Sequence, residues 1–459
     1  MAMGRLKAEK QPVLWVATSE LAMSPSHPFY ERLNAVLDKH GFDPFVEARC
    51  ASFYAPVMGR PSIPPGVYFR MHLVGYFEGI DSERGIAWRV ADSLALRAFL
   101  GYGLDEGTPD HSSVSRTRRL LDMETHQEVF QWVLGVLAKE GLLKGKTLGV
   151  DATTLEANAA LRSIVRRDTG ESYQEFLTRL AQASGIETPT REDLATLDRN
   201  RPHKGSNADW EHPHEPDAVI GKMKDGRTHL LHKGEHAADM DTQAVVAVTL
   251  PEGTESDTDT LPWTLMEAEE NLKRVAADPA VAWHPAEPLL AEAVTDKGYH
   301  SNETCRWLSD GGIRSYVSEP DRGRRNWKGK PQERAAVYAN RRRIRGERGK
   351  RLLRTRGEML ERGFAHAYDR GGMRRLHLRG RSNILKRLLV HVGGFNLGLI
   401  MRKLVGCGTP RGLQGAPFGL LDLLRRLAAA FWHRLKDLPG QLGASGACND
   451  FLCPLHEVA

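Results

Sequence analysis

The chain has 459 residues, 41% hydrophobic and 27% charged, with 64 Lys plus Arg against 58 Asp plus Glu and a formal charge of +6. That length accommodates two to four domains at roughly 100–200 residues each, and the near-average composition excludes collagen-like, wholly disordered and disulfide-scaffold chains. Five scattered cysteines (Cys50, Cys305, Cys407, Cys448, Cys453) suit a reducing compartment.

The N-terminal stretch carries only a short apolar piece, Val13 to Ala17, too short for a signal-peptide core. No apolar run reaches the ~18–20 residues of a membrane span, so a soluble protein without a membrane partner is expected. Helical patterns then dominate to about residue 145. Ser26-His-Pro-Phe opens a helix with apolar spacing at Phe29, Leu33, Val36 and Leu37 that stops at Gly41. After a break at Pro61 to Gly66, Tyr68 to Phe77 resumes the pattern, and Ser82 caps a further helix. Thr108-Pro-Asp-His-Ser-Ser-Val-Ser-Arg follows, where Asp110 or Ser112 caps a helix whose outer face would show Ser115, Arg116, Arg118 and Arg119. A turn leading into such a helix suits a helix-turn-helix; a small bundle with an exposed basic helix fits equally.

From Leu148 the texture changes. Leu148-Gly-Val-Asp is a short strand with Asp151 at or near its end. Residues 161–201 form a polar, helix-prone insertion. Strands are expected at Thr228 to Lys233 and Ala244 to Leu250, an acidic loop at Glu252 to Asp259, and an amphipathic helix at Pro262 to Val275. Leu289 to Thr295 is a strand delivering Asp296 into Lys-Gly-Tyr-His-Ser, with Ser301 or Asn302 capping the next helix. Gly311 to Val317 adds a strand, and helix prevails from Pro331. Strands and helices in this order describe an α/β layer domain.

Charge is unevenly distributed. Asp321 to Arg356 holds fifteen Lys or Arg and three acids, a net +12, leaving −6 for the other 423 residues. Such a run is either a solvated face or a polyanion footprint. Asp151 and Asp296 each follow a short apolar strand, where ligands of α/β sheets collect, and paired carboxylates there suit a hard cation such as Mg²⁺. Glu361 offers a third acid from a helix. Trp327 stacks on a base or anchors its loop. Cys448, Cys453 and His456 lack a zinc-ligand spacing. Phe418 to Trp432 is an amphipathic helix suited to docking on protein.

Several blocks together resemble the DDE transposases of bacterial insertion sequences, in the branch with an InsH-like N-terminal helical domain. They are Tyr102-Gly-Leu, Thr108-Pro-Asp-His-Ser-Ser-Val-Ser-Arg, Gly149-Val-Asp-Ala-Thr-Thr-Leu-Glu-Ala-Asn, Thr295-Asp-Lys-Gly-Tyr-His-Ser, and Glu361-Arg through Arg379-Gly. Glu215-Pro-Asp-Ala with Met223-Lys-Asp-Gly-Arg-Thr-His adds to them, and the likeness runs from about residue 26 to about residue 415. The resemblance implies an α/β fold. An RNase H-like mixed-sheet catalytic domain (146–405, with an insertion near 160–215 and the basic segment 321–356) would follow a mostly α-helical DNA-binding domain (1–145). A C-terminal tail (406–459) carrying the amphipathic helix would end the chain.

The resemblance further implies Asp151, Asp296 and Glu361 as catalytic acids holding two Mg²⁺ ions, with Mn²⁺ as a substitute, about 3.5–4 Å apart around a scissile phosphate. Double-stranded DNA would be the partner, as terminal inverted repeats and as target, bound by a homodimer or higher oligomer in the cytoplasm, at the nucleoid. DNA contacts would fall to Ser115, Arg116, Arg118, Arg119, Lys297, Arg341, Arg342, Arg343, Arg356 and Arg362. Tyr299 and His300 either join Lys297 at the phosphates or pack and cap. Where related enzymes place Arg four residues before the Glu and Lys seven after it, this chain has Gly357 and Tyr368, and Glu358 rivals Glu361. Two alternatives stand beside strand transfer: an RNase H-like nuclease that cuts without joining, and a non-catalytic DNA-binding descendant.

Overall fold

A computed structural model describes residues 27–55, 62–201, 205–285, 287–321, 323 and 325–413. Val13 to Ala17, Ser26, the Phe418 to Trp432 helix, Cys448, Cys453, His456 and two of the basic-segment arginines lie outside the described residues. Residues up to Pro410 form one compact unit.

The N-terminal helices are α1 (Pro28–Lys39), α2 (Phe42–Cys50), α3 (Pro65–Glu78), α4 (Glu83–Asp92), α5 (Leu94–Leu100), α6 (His111–Leu120) and α7 (Met123–Lys139). Their starts follow local chemistry: Asp110 accepts from the backbone N–H groups of Ser112 (2.7 Å) and Ser113 (2.9 Å). Ser82 caps the helix expected there, α4, and Ser93 caps a second one, α5. Gly41 (φ 69°) makes the left-handed turn between α1 and α2 that a side chain would strain.

β1 (Thr147–Glu156) opens the second part. β2 (Val165–Arg166) and β3 (Trp210–Glu211) form a small antiparallel ladder around α8 (Tyr173–Ala183) and α9 (Arg191–Asn200), the polar insertion. Then come β4 (Val219–Lys222), β5 (Thr228–Asp239), β6 (Val245–Thr249), α10 (Asp257–Ala277), β7 (Glu292–Thr295), α11 (Asn302–Asp310), β8 (Arg314–Val317), α12 (Pro331–Arg345), α13 (Glu347–Phe364) and α14 (Arg381–Val405). The acidic loop expected up to Asp259 is shorter than anticipated, because Asp257 and Asp259 lie in the first turn of α10. There a negative charge is favoured by the helix dipole.

The main sheet is mixed. Along the path β6-β5-β1-β7-β8, β5 runs antiparallel to β6 and β1, while β1, β7 and β8 are parallel; β4 shares the outer edge of β5 with β6. Helix α10 covers one face near β5 and β6, and α13 covers the other across β1, β7 and β8. Glu215, in a block the sequence singles out, is buried. Its carboxylate accepts from Gly380 N at 3.0 Å and pairs with His232 Nε2 at 3.1 Å, tying the insertion to β5 and to the start of α14.

Helix α14 is buried along most of its length and packs on α3, α7 and β6, so the helical layer and the sheet share it. It is long and apolar enough to cross a membrane by length and composition, yet 94% of its most apolar window is covered by protein. An all-round apolar helix of this kind is what a core position requires. Lys386 on it donates to the carbonyls of Leu121 (2.7 Å) and Arg118 (3.3 Å) at the C-terminal end of α6, where a cation complements the helix dipole.

Two fully buried asparagines close edges of the sheet. Asn396 of α14 donates to Val245 O (2.8 Å) and accepts from Val245 N (2.9 Å) on β6; Asn340 of α12 makes the same pair with Val317 of β8 (2.8 and 3.0 Å). Asn340→Leu and Asn396→Leu should each lower unfolding stability by about 1–3 kcal/mol, because each strands buried backbone groups. The sites lie four strand spacings apart, roughly 19 Å, so urea midpoints of the double variant should sum the two losses.

Burial holds His72, His126, His236 and His391 neutral; His126 is pushed down to about 4, and His236 and His391 to about 3. A histidine depressed in the folded state contributes stability that is full above its ordinary value near 6.5 and is lost as pH falls toward the folded value. The melting-temperature advantage of the wild type over His391→Gln should therefore shrink from pH 7.5 to pH 5. A gap independent of pH would contradict this.

Candidate active site

Asp151 is not at the end of its strand. It sits in the middle of β1, which pairs with β5 from Leu148 to Glu156, whereas β7 accompanies β1 only from Thr147 to Gly149. Beyond Gly149 the β7 side of β1 lacks a strand partner until Glu156, where the segment around Arg375 makes a parallel bridge. Glu156 N donates to Arg374 O (2.9 Å), and Leu376 N donates to Glu156 O (2.8 Å). The candidate site lies in the interval between these two closures.

The parallel register matches Gly149 with Val294, so two residues further Asp151 stands across from Asp296. Asp296 leaves β7 and caps the single helical turn Lys297–Tyr299, accepting from Gly298 N at 2.8 Å. Asp151 is raised to about 6: burial pushes it up, the Arg356 guanidinium acts against that, and the nearby Asp296 carboxylate adds to the rise. Arg356 Nη2 lies 2.8 Å from Asp151 Oδ1 and also donates to Val150 O at 3.0 Å. Ala152 N donates to the same carboxylate at 2.9 Å.

On the opposite face, Glu235 of β5 is completely buried and takes hydrogen bonds from Thr260 (2.9 Å), Tyr299 (2.7 Å) and Thr264. Burial raises its pKa, and the three hydroxyl donors and Lys233 work against that shift. Tyr299 ends the turn that Asp296 begins, so Glu235 anchors that turn from within the sheet. Lys233 pairs with Asp257 at 2.7 Å. A methyl group on Gly298 would come within 2.6 Å of Asp257 Oδ2 and 3.1 Å of Asp296 Oδ1, so the start of α10 closes on the Asp296 turn only because residue 298 has no side chain. Glu235, Lys233 and Asp257 were not singled out from sequence. The available signal was a run of polar residues inside a long strand, Lys233, Glu235, His236 and Asp239, where a doubly covered strand is normally apolar.

The third acid is placed differently. Leu360 and Phe364 of α13 face the sheet, while Glu358, Glu361 and Arg362 are exposed. Among the described residues no group of three or more His, Cys, Asp or Glu side chains converges as a metal site. Oxygen donors are what a hard cation takes, so Asp151 and Asp296 fit one by chemistry; Glu361 is not brought together with them. Tyr368, where the resemblance would lead one to expect Lys, is turned into the core and pairs with His236 at 2.5 Å, in a π-helical turn after α13.

The predicted DNA contacts divide into two groups. Arg116, Arg119, Lys297, Arg342 and Arg362 are exposed. Arg118, expected on the outer face of α6, is instead buried and paired with Glu83 at 3.0 Å, and it donates to the half-buried Ser115 at 3.2 Å. Arg341 binds Glu319 (2.6 and 2.8 Å), which also takes Arg325 (2.6 Å). Arg343 donates to Ser315 O (2.9 Å) and Oγ (2.8 Å), and Arg356 is committed to Asp151. Part of the +12 segment thus neutralises acids elsewhere in the fold. Tyr299 and His300 are both buried, and Ser301 is the residue that caps α11. Trp327 packs against Cys305, Ala336 and Val337, anchoring its loop.

Residues 19–120, spanning α1 to α6, match a transposase domain family (DUF772). The chain thus carries a transposase-family domain ahead of its mixed sheet. No curated protein and no solved structure matches the chain.

Arg118→Ala should cost up to about 3 kcal/mol, because it leaves the largely buried Glu83 without its partner, and a urea melt would read this loss. Arg116→Ala and Arg119→Ala should leave the melt in place. Each should reduce the slope of log affinity for duplex DNA against log salt by about 1. Equal slopes in all three variants and the wild type would remove α6 from the DNA footprint.

Proposed function

We propose that this protein is a DDE-type transposase that binds the ends of an insertion sequence, hydrolyses phosphodiester bonds there and joins the 3′-hydroxyl ends to target DNA. The observation that carries the reading is the pair Asp151 and Asp296, in register just beyond the paired stretch of β1 and β7, with Asp296 near enough to raise Asp151. The sheet around it supports an RNase H-like assignment, with three antiparallel strands, β6-β5-β1, followed by β7 and β8 parallel to β1. The transposase-family match over residues 19–120 supports the N-terminal helices as the DNA-reading part.

Asp151 and Asp296, joined by Glu361, would hold Mg²⁺ (two ions, with Mn²⁺ able to substitute), which supplies Lewis-acid activation of water or of a 3′-hydroxyl. The protein's own groups do the positioning. The Glu235–Tyr299 hydrogen bond fixes the turn that aims Asp296, and exposed Lys297, next to Asp296, and Arg362, on the outer surface of α13, offer positive charge to the DNA backbone. Their preorganised charge acts on the phosphate oxygens as negative charge builds there.

Helix geometry supports Glu361 over Glu358 as the third acid. Leu360 packs over Gly149, and Met359 packs on the Met240, Val294 and Tyr316 cluster near the start of β1. At about 100° per residue, Glu361 leaves α13 on the flank opposite Met359, about 100° from Leu360, whereas Glu358 projects about 160° from Leu360, further from the sheet. Both ends of an element have to be held together, so a homodimer or larger assembly on DNA is part of the proposal.

The test is cleavage and strand transfer of a DNA fragment carrying the element's end, with Mg²⁺. Asp151→Asn, Asp296→Asn and Glu361→Gln should each lose at least about a hundredfold in rate, and Glu358→Gln should stay near wild type. Full activity of Glu361→Gln would overturn the third assignment. Cutting without joining would make the protein a nuclease, and DNA binding without either reaction would make it a non-catalytic descendant.

A further inference from the structure

We propose that Arg356 is a resident counter-cation of Asp151: it holds the carboxylate in place before a divalent cation arrives and releases it when one binds. The inference rests on the reading above, in which Asp151 and Asp296 hold that cation, and adds a residue that sets how tightly they do so.

Arg356 is only 8% exposed, and its guanidinium reaches across the sheet face to Asp151 Oδ1 (2.8 Å) and Val150 O (3.0 Å). The stem of Arg356 crosses over Gly149, where a methyl group would clash with Met240 Sδ at 2.5 Å and would meet Leu360 Cδ1 at 3.3 Å and Arg356 Cγ at 3.5 Å. The guanidinium thus binds one carboxylate oxygen and the backbone beside it from a fixed stem, unlike a surface arginine that samples solvent.

Two carboxylates bring −2 to the site, and Arg356 compensates half of it. A divalent cation that approaches Asp151 competes for an oxygen already engaged and adds its charge next to an existing positive one. Removing Arg356 leaves the pair under-compensated, so a dication gains both the free oxygen and the full charge. Opposite charges within ~4–6 Å shift protonation equilibria of carboxylates by one to three powers of ten, and a cation-binding equilibrium responds on the same scale. Arg356 is therefore a positioning residue whose loss tightens metal binding, the reverse of what loss of a ligand or of a purely structural contact would do.

The probe is Mn²⁺, titrated into the full chain and followed by the free-ion EPR signal. Arg356→Gln is expected to lower the Mn²⁺ dissociation constant about tenfold; Arg356→Lys, which retains the charge, should stay within a few fold of wild type; Asp151→Asn should abolish uptake in either background. Uptake lost in Asp151→Asn but unchanged or weakened in a folded Arg356→Gln overturns the proposal alone. No uptake in any form overturns the metal-binding reading and this proposal with it. If Arg356→Gln does not fold, a structure of the wild type with Mn²⁺ bound decides. An Arg356–Asp151 separation beyond 4 Å supports release, and retention of the 2.8 Å contact beside bound Mn²⁺ overturns it.

Discussion

The asymmetry of one strand organises this molecule. β1 is accompanied by β5 for nine residues on one side and by β7 for three on the other. A strand in the middle of a sheet cannot leave its backbone groups unpaired without cost, so the uncovered stretch has to be serviced by side chains. Arg356 takes the carbonyl of Val150, Arg374 takes that of Thr154, and the Arg374 to Leu376 segment closes the strand at Glu156. The gap bounded by these contacts exposes Asp151 across from Asp296. The site is therefore a consequence of strand divergence, and the arginines that stabilise the divergence also set its charge.

Buried polar groups divide the labour on the two faces of β5. His236 faces α13 as a neutral ring held by Tyr368, while Glu235, its neighbour, faces α10 and gathers three hydroxyl donors. An isolated buried carboxylate would be expensive, but one that accepts several hydrogen bonds becomes a rigid hub. That rigidity reaches Asp296 through Tyr299. The cost of burying these groups is offset by the precision with which a turn of only three residues is held.

Much of the architecture was legible from the sequence. The capping residues at Ser82, Asp110 and Ser301, the strands leading to Asp151 and Asp296, and the insertion after residue 160 appear where local chemistry places them, because caps and apolar runs act within a few residues. The less legible features depend on long-range partners. Asp151 seemed to end its strand because its residues turn polar there, and only the pairing with β5, eighty-five residues later, continues it. Arg118 looked like an outward residue on a basic helix; the Glu83 carboxylate that draws it inward belongs to another helix. The basic segment likewise revealed its total charge but not that Glu319, Glu292 and Asp151 each claim part of it. Glu361 was legible as a residue, but it lies exposed on α13 and is not brought together with the two aspartates.

The asparagines at β6 and β8 bear on how copies of the chain could come together. An edge strand with free N–H and C=O groups invites a strand from a second molecule, and here a helix amide already occupies those groups at Val245 and Val317. Among the described residues the four-residue β4 and the two-residue strands β2 and β3 offer further, short edges. Pairing of a second molecule's strand through the groups at Val245 and Val317 is thereby disfavoured, so each sheet keeps its geometry independently of a neighbouring copy at these two points.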